Sequence, residues 1–106
     1  MQSILNSLKI ISDPTRIRII GILIDEELSV AELQEVLNMG QSRISTQLSQ
    51  MKGENLVIDR RAGKNNLYTA TIPENLLEII KAALKEIPEA KQDQAALTHL
   101  TTKRKD

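Results

Sequence analysis

Cysteine, tryptophan and phenylalanine are all missing from the sequence, and Tyr68 is its single aromatic residue. Without cysteine the chain cannot form a disulfide framework, a thiolate metal site or a thiol redox centre. His99 is the single histidine, and Asp93 nearby does not complete the ligand set that zinc needs. We therefore predict no metal site, no cofactor, and a core built from isoleucine, leucine, valine and methionine.

Long apolar runs are missing as well. No run approaches the roughly 20 residues of a membrane span, and no signal-peptide pattern opens the chain. We therefore expect a cytoplasmic protein with no membrane partner. The sequence has neither a glycine-rich phosphate loop nor a nucleophile beside a base, so it predicts no enzymatic activity.

A chain of 106 residues with 41% hydrophobic content is one small domain. Its net charge is zero, which at first argues against a nucleic-acid partner, but the charges are unevenly distributed. Residues 25–39 contain five acidic residues and no basic one, whereas residues 40–68 contain five basic residues against two acidic ones. The second stretch can therefore offer a positive face to DNA although the whole chain is neutral.

Residues 29–53 show the pattern of a helix-turn-helix. Ser29 and Glu32 have the spacing of a capping box that starts a helix, and this helix stops near Gly40. The buried face of the following helix is predicted at Ile44, Leu48 and Met51. Residues near its start are small or hydrogen-bonding types suited to base edges and phosphates: Gln41, Ser42, Arg43, Ser45, Thr46 and Gln47.

Two of these residues have side chains that can read bases. Arg43 can bond a guanine edge with two hydrogen bonds, and Gln47 can bond an adenine edge in the same way. Ser42 and Thr46 are better suited to holding phosphates. We therefore expect the second helix of the pair to carry the sequence preference.

After this helix the pattern changes to that of a β-hairpin. Residues 56–58 form a short apolar run suited to a strand, a turn falls at residues 62–64, and residues 65–71 return as a second strand. A hairpin tip needs no arginine pair for its stability, so its basic residues are candidates for DNA contacts. The residues concerned are Arg60, Arg61, Gly63 and Lys64. The predicted fold is mainly α, a winged helix-turn-helix with a two-stranded β wing.

Apolar residues at helical spacing predict further helices before and after this unit. Asp13 and Pro14 are the cap and first residue of a helix that runs to about Glu26. On that helix we favour contacts within the protein, rather than with DNA, for Arg16 and Arg18.

The first and last helices leave apolar surface that a domain this small has little interior to bury, so they are predicted to be dimerisation helices. We predict a homodimer, and a self-contained monomer with both helices folded onto the core is the alternative. The expected interface residues are Ile4, Leu5, Leu8, Leu77, Ile80 and Leu84.

Three motifs in register resemble a known family. They are ISDPTRIRIIGIL at residues 11–23, LSVAELQEVLNMGQSRISTQLSQMKGENLV at residues 28–57 and RRAGKNNLY at residues 60–68. With these motifs, residues 5–87 look like the ArsR/SmtB family of bacterial transcriptional regulators. The resemblance implies a dimeric repressor that binds operator DNA and is released by an inducer.

The family's recognition-helix motif maps onto Gln41, Ser42, Arg43, Ser45, Thr46 and Gln47, and its wing motif onto Arg60, Arg61, Gly63, Lys64 and Tyr68. The sequence also departs from the family. Thr46 and Gln47 stand where a basic residue and a histidine are common, and Gly40 stands where a serine is common. These departures affect which operator sequence is expected more than whether the chain binds DNA.

From residue 88 to residue 106 the composition turns polar and alanine-rich. We expect a polar tail or linker here, with one short helix around Leu97 and Leu100, outside a DNA-binding and dimerisation domain of residues 1–87. The tail resembles the connector between an ArsR-type domain and an S-adenosylmethionine-dependent methyltransferase. The regulatory amino-terminal domain of such a fusion is therefore an alternative to a stand-alone regulator.

Together these observations predict a dimeric, sequence-specific regulator of transcription that binds double-stranded operator DNA and acts without metal. By the resemblance it is a repressor. A winged-helix module that binds another protein is the alternative from a different functional class. The sequence identifies neither the operator, nor the inducer, nor the regulated genes.

Overall fold

The computed structural model describes residues 3–105, which form six helices and two strands. In chain order these elements are α1 Ile4–Ile11, α2 Pro14–Asp25, α3 Val30–Leu37, α4 Gln41–Gly53, β1 Val57–Ala62, β2 Asn65–Ala70, α5 Glu74–Leu84 and α6 Ala90–Lys105. The predicted winged helix-turn-helix is confirmed. Of the helices described, none is long and apolar enough to cross a membrane.

The helix-turn-helix forms from local signals in the sequence. Ser29 Oγ accepts the backbone N–H of Glu32 at 3.2 Å, and Glu32 Oε1 accepts the backbone N–H of Ser29 at 3.0 Å, which completes the predicted capping box. At the other end of α3, Asn38 takes the left-handed backbone conformation with φ of 55°. Asparagine tolerates this conformation better than most residues, so it can turn the chain towards α4.

The wing is a two-stranded antiparallel sheet whose register runs from Val57 opposite Ala70 to Ala62 opposite Asn65. Leu28, in the connection between α2 and α3, is bonded to the root of this hairpin. Its N–H donates to the carbonyl of Tyr68 at 3.1 Å, and the N–H of Tyr68 donates back at 2.7 Å. The base of the wing is therefore attached to the helix-turn-helix by backbone hydrogen bonds.

The core lies around α2, which buries half of its 12 residues, and it is built from aliphatic and methionine side chains. On α4 the buried positions are Ile44, Leu48 and Met51, as the spacing predicted. The opposite side of α4 is consequently left facing solvent. The buried residues of α2 are Ile17, Ile19, Ile20, Gly21, Ile22 and Leu23.

Helix α6 corrects the expectation of a polar tail beyond residue 87. Instead of one short helix, Ala90–Lys105 is a helix of 16 residues that packs against α2 and α3. Leu97, Leu100 and the carboxylate of Asp93 are buried in this contact. Residues 90–105 therefore belong to the same packed unit as the helix-turn-helix. The weak amphipathic pattern of α6 gave no sign of this packing.

An ion pair between Arg18 and Asp93 fastens α6 to α2. Arg18 Nε lies 2.8 Å from Asp93 Oδ2, and Nη2 lies 2.9 Å from Oδ1. The side chains are only 14% and 5% exposed. The hydrogen bond to Asp93 raises the pKa of Arg18 above its ordinary value. Arg18 Nη2 also donates to the carbonyl of Leu37 at 3.3 Å, so one guanidinium joins α2, α3 and α6.

Exposed apolar side chains remain on α1 and α5. Ile4 and Leu5 are 47% and 72% exposed, and Ile79 is 47% exposed. The prediction that Ile80 lies in the dimer interface is wrong, because this residue is 0% exposed and belongs to the core of the protomer. Helical spacing identified the apolar stripe of α5 but could not tell which part of it packs against α2. The other three predicted positions, Leu8, Leu77 and Leu84, are partly buried.

Replacing Asp93 with alanine should lower the free energy of unfolding by about 3 kcal/mol, the lower end of what removing one partner of a buried ion pair costs. The reason is that Arg18 would stay largely buried without its carboxylate. Urea unfolding followed by circular dichroism measures the change. Gln92→Ala, an exposed position on the same helix, is the matched control, and equal stability of the two variants would contradict the prediction.

Candidate nucleic-acid interface

The start of α4 presents the residues that the sequence placed in a recognition helix. Gln41, Ser42, Arg43 and Thr46 are exposed, whereas Ser45 and Gln47 are partly buried. Gly40, the N-cap of α4, has no side chain to bond the first N–H groups of this helix. Backbone N–H groups at a helix start can bond an anion such as a phosphate. The arrangement therefore combines backbone donors with polar side chains on one surface.

Arg43 lies on this surface and points its guanidinium towards the start of α2. Its Nη2 donates a hydrogen bond to Thr15 Oγ1 at 2.7 Å. A guanidinium has five N–H donors, and this contact occupies one of its three nitrogens. The remaining donors keep the fork geometry that matches a guanine edge or a phosphate.

Gln47 is tied to α2 by a contact that sequence reasoning missed. Arg16 Nε donates to Gln47 Oε1 at 2.6 Å, and Arg16 Nη2 donates to Gln50 Oε1. Arg16 Nη1 donates to the carbonyl of Ile10 at 2.9 Å. The expectation that Arg16 makes contacts within the protein agrees with these bonds. No local pattern could have shown the contact, because Arg16 and Gln47 are 31 residues apart.

On the wing, Arg60 makes an ion pair with Glu27 from the connection between α2 and α3. Its Nε and Nη2 each lie 2.7 Å from a carboxylate oxygen of Glu27. The hydrogen bond from Arg60 holds the pKa of Glu27 below its ordinary value. Arg60 is therefore already paired in the free protein, which the charge pattern of the hairpin did not reveal.

The rest of the wing tip carries cations with different environments. Arg61 Nε donates to the carbonyl of Gly63 at 2.9 Å, which folds this side chain back over the turn. Gly63 has a positive φ of 63°, a conformation that favours glycine. Lys64 is exposed beside it. Because neighbouring strand residues point to opposite faces, Arg60 and Arg61 lie on different sides of the hairpin.

A second ion pair fixes the wing relative to α4. Lys52 Nζ lies 2.8 Å from Asp59 Oδ1, and Asn66 Nδ2 donates to Asp59 Oδ2 at 3.0 Å. The hydrogen bond from Lys52 lowers the pKa of Asp59. These contacts connect the end of α4 with both strands. The wing and α4 are thus joined along one surface.

Asp93 and His99 were the two residues that invited the idea of a metal site. Both carboxylate oxygens of Asp93 accept hydrogen bonds from Arg18. Within residues 3–105, the structure has no group of three or more histidine, aspartate or glutamate side chains that could hold a metal ion.

Comparison with known protein families agrees with this architecture. The family model described as bacterial regulatory protein, arsR family, matches residues 13–59, from the cap of α2 into β1. This chain belongs to the ArsR family. The matched residues include α3 and α4 together, so the ArsR match covers the helical part of the surface described above, while the wing residues from Arg60 onwards lie outside it.

Individual relatives match over longer stretches. The biofilm growth-associated repressor of Xylella fastidiosa is 35% identical over 66 residues, which are 62% of this chain and 58% of that protein. The transcriptional activator HlyU of Vibrio cholerae is 34% identical over 67 residues, 63% of this chain and 62% of that protein. This chain thus spans 58–62% of the length of these two relatives.

Solved structures show the same fold. The crystal structure of a transcriptional regulator HlyU from Vibrio vulnificus superimposes with a TM-score of 0.66 at 30% identity, covering 74% of this chain and 81% of that chain. One relative is named a repressor and another an activator. Family membership alone therefore does not give the sign of regulation.

Replacing Glu27 with glutamine should strengthen binding to random duplex DNA and steepen its salt dependence by about 0.9 in the slope of log affinity against log salt, the value for one additional phosphate contact. The reason is that Arg60 loses its carboxylate partner and becomes available to a phosphate. Fluorescence anisotropy at several salt concentrations measures both quantities.

Two controls separate this effect from a general change in charge. Glu35→Gln removes the same charge from an exposed position on α3 and should leave the salt slope unchanged. Adding Arg60→Ala to the Glu27→Gln variant should remove the gain. A gain of equal size in the Glu35→Gln protein would show that Arg60 is not its source.

Proposed function

We propose that this ArsR-family protein is a homodimeric, sequence-specific DNA-binding regulator of transcription. The observation that carries the proposal is the division of α4 into two faces. Ile44, Leu48 and Met51 are buried, while the opposite side presents Gln41, Ser42, Arg43 and Thr46 to solvent. A helix held by its apolar face can insert its polar face into the major groove.

The wing complements this role by contacting the DNA backbone. Lys64 is exposed at the hairpin tip, and Arg61 lies beside it. Ion pairing between Lys52 and Asp59 keeps the hairpin next to α4, so both can approach one duplex at once. We assign base reading to Arg43 and Gln47, and phosphate contacts to Ser42 and Thr46 and to the basic residues of the wing.

The homodimer is supported by the apolar side chains that the protomer leaves in solvent. Ile4 and Leu5 on α1 and Ile79 on α5 belong to this group, and Ile58 on β1 is exposed as well. Large apolar residues exposed on a small domain favour pairing with a second copy. A two-fold dimer would place two copies of α4 in successive major grooves, with half-site centres about 34–36 Å apart.

We further propose that the protein acts as a repressor and without a metal ion. Repression is supported by the name of the Xylella fastidiosa relative and by that of the transcriptional repressor SmtB homolog of Synechocystis, against the activator name of HlyU. Metal independence is supported by the engagement of Asp93 with Arg18, since a carboxylate bonded in this way must lose its partner before it can bind a cation.

Arg43→Ala should reduce the preference for the selected operator over random DNA by a factor corresponding to about 1–3 kcal/mol, the discrimination of one bidentate base contact. Affinity for random DNA should change little, because the phosphate contacts remain. The operator is first obtained by selection from a random duplex library, and mobility shifts with both DNAs then give the ratio.

Lys81→Ala, which removes an exposed cation from α5, is the matched control and should keep the full operator preference. Addition of stoichiometric zinc should leave the wild-type affinity unchanged. Unaltered selectivity of the Arg43→Ala protein would remove α4 from the reading role, and a wild-type protein that selects no sequence would refute the proposed function.

Leu5→Lys should convert the dimer to a monomer at tens of micromolar protein. Leu5 is 72% exposed in the protomer and would be covered by the second copy in the proposed dimer, where a charge is unfavourable. Light scattering after size-exclusion chromatography measures the mass. Asn6→Lys, an exposed polar position on the same helix, should stay dimeric. A monomeric wild type at this concentration would contradict the proposed dimer.

A further inference from the structure

We propose that Arg16 is a positioning residue that sets the hydrogen-bonding polarity of Gln47, so that α4 presents an amide donor to the bases and selects guanine there. This inference rests on the proposed function, because it concerns which base the helix reads. It changes the base expected for Gln47, since the side chain alone predicted adenine. Arg16 itself needs no contact with DNA for this role.

The orientation of the Gln47 amide follows from the chemistry of its partner. An arginine side chain has five N–H donors and no acceptor, so a carboxamide can face it only with its oxygen. Arg16 Nε lies 2.6 Å from Gln47 Oε1, within hydrogen-bonding distance, and the donor is charged. The amide nitrogen of Gln47 cannot bond Arg16 and is left to donate elsewhere.

The guanidinium that holds Gln47 is itself held on its other sides. Arg16 Nη1 donates to the carbonyl of Ile10 in the last turn of α1 at 2.9 Å. Its Nη2 donates to Gln50 Oε1, one turn further along α4 than Gln47. Because the guanidinium is planar, contacts on all three nitrogens fix its plane. Releasing the oxygen of Gln47 would therefore break one bond of a connected set.

The fixed amide changes the bases that position 47 can recognise. Bidentate recognition of adenine needs the amide oxygen to accept from N6 and the nitrogen to donate to N7. Because Gln47 Oε1 is turned towards Arg16 on α2, the amide nitrogen is the end left to face away from α2, and the donor half of that pattern is the one presented. Guanine offers two adjacent acceptors, O6 and N7, whereas adenine places an N6 donor beside its N7 acceptor and cytosine offers a donor. An amide donor thus favours guanine and disfavours cytosine.

Selection from a random duplex library tests the inference with three proteins. Gln47→Ala identifies the base position that depends on Gln47, because preference is lost there. The wild type should select guanine at that position. Arg16→Met keeps the aliphatic stem but removes every donor, so the freed amide should shift the preference from guanine to adenine by roughly 5- to 150-fold, the range for one bidentate contact.

The outcomes separate this inference from the proposed function. A wild-type protein that selects a defined operator supports the proposed function whichever base it prefers at this position. Selection of adenine by the wild type would overturn the role of Arg16. Selection of the same base by the wild type and by the Arg16→Met protein would overturn it as well. A merely structural role would lower stability or overall affinity and leave the base preference unchanged.

A second measurement keeps the inference testable if the Arg16→Met protein does not fold. In ¹⁵N-labelled wild type, the Arg16 Nε–H should exchange with water about tenfold more slowly than in Gln47→Ala, because the charge-assisted hydrogen bond protects it. Thr46→Ala, a change at the neighbouring exposed position, should leave the exchange rate as in the wild type. Equal exchange in the wild type and in Gln47→Ala would overturn the inference.

Discussion

Burial of α2 is the constraint on which the remaining packing depends. Its apolar residues fill the centre of the core, and its two arginines reach in different directions from that centre. Residues two positions apart are separated by about 200° around a helix, so Arg16 and Arg18 leave opposite sides of α2. Arg16 bonds α1 and α4, and Arg18 bonds α3 and α6. A single buried helix thus sets the positions of four neighbours through two guanidinium groups.

The parts of the fold that were predictable are those with local signals. The capping box at Ser29, the restart at Asp13 and Pro14, and the period of Ile44, Leu48 and Met51 each depend on residues a few positions apart. Such signals act within one or two turns of chain, so the sequence alone is enough to find them. The two strands and their turn were predictable for the same reason.

The packing of α6 was not predictable in this way. Its attachment depends on Asp93 meeting an arginine that lies 75 residues earlier, and on Arg104 reaching Glu32 at 2.7 Å. In each of these two pairs, neither residue alters the sequence pattern around the other. The prediction of Ile80 as an interface residue was wrong for a related reason, since a stripe of apolar residues does not show which neighbouring element covers it. Contacts between distant segments depend on how the whole chain packs, so the residue pattern of one segment does not predict them.

The charges of the candidate site show the same limit. Sequence reasoning identified Arg60, Arg61 and Lys64 as a basic group, but it treated each cation as free. In the folded chain Arg60 is paired with Glu27, while Lys64 remains exposed. The electrostatic character of the wing is therefore weaker on one face than its composition suggests. Residue types were predictable here, whereas the pairing of Arg60 depends on how the hairpin packs against the connection between α2 and α3.

The bond between Leu28 and Tyr68 has a practical consequence for spectroscopy. Tyr68 is the single aromatic residue of the chain, and it lies at the root of the wing, partly buried against the core. Its ultraviolet emission and its ring proton resonances therefore arise from one known position without any label. A change in the orientation of the hairpin must alter the surroundings of that ring. The protein carries its own optical reporter at the junction between wing and helices.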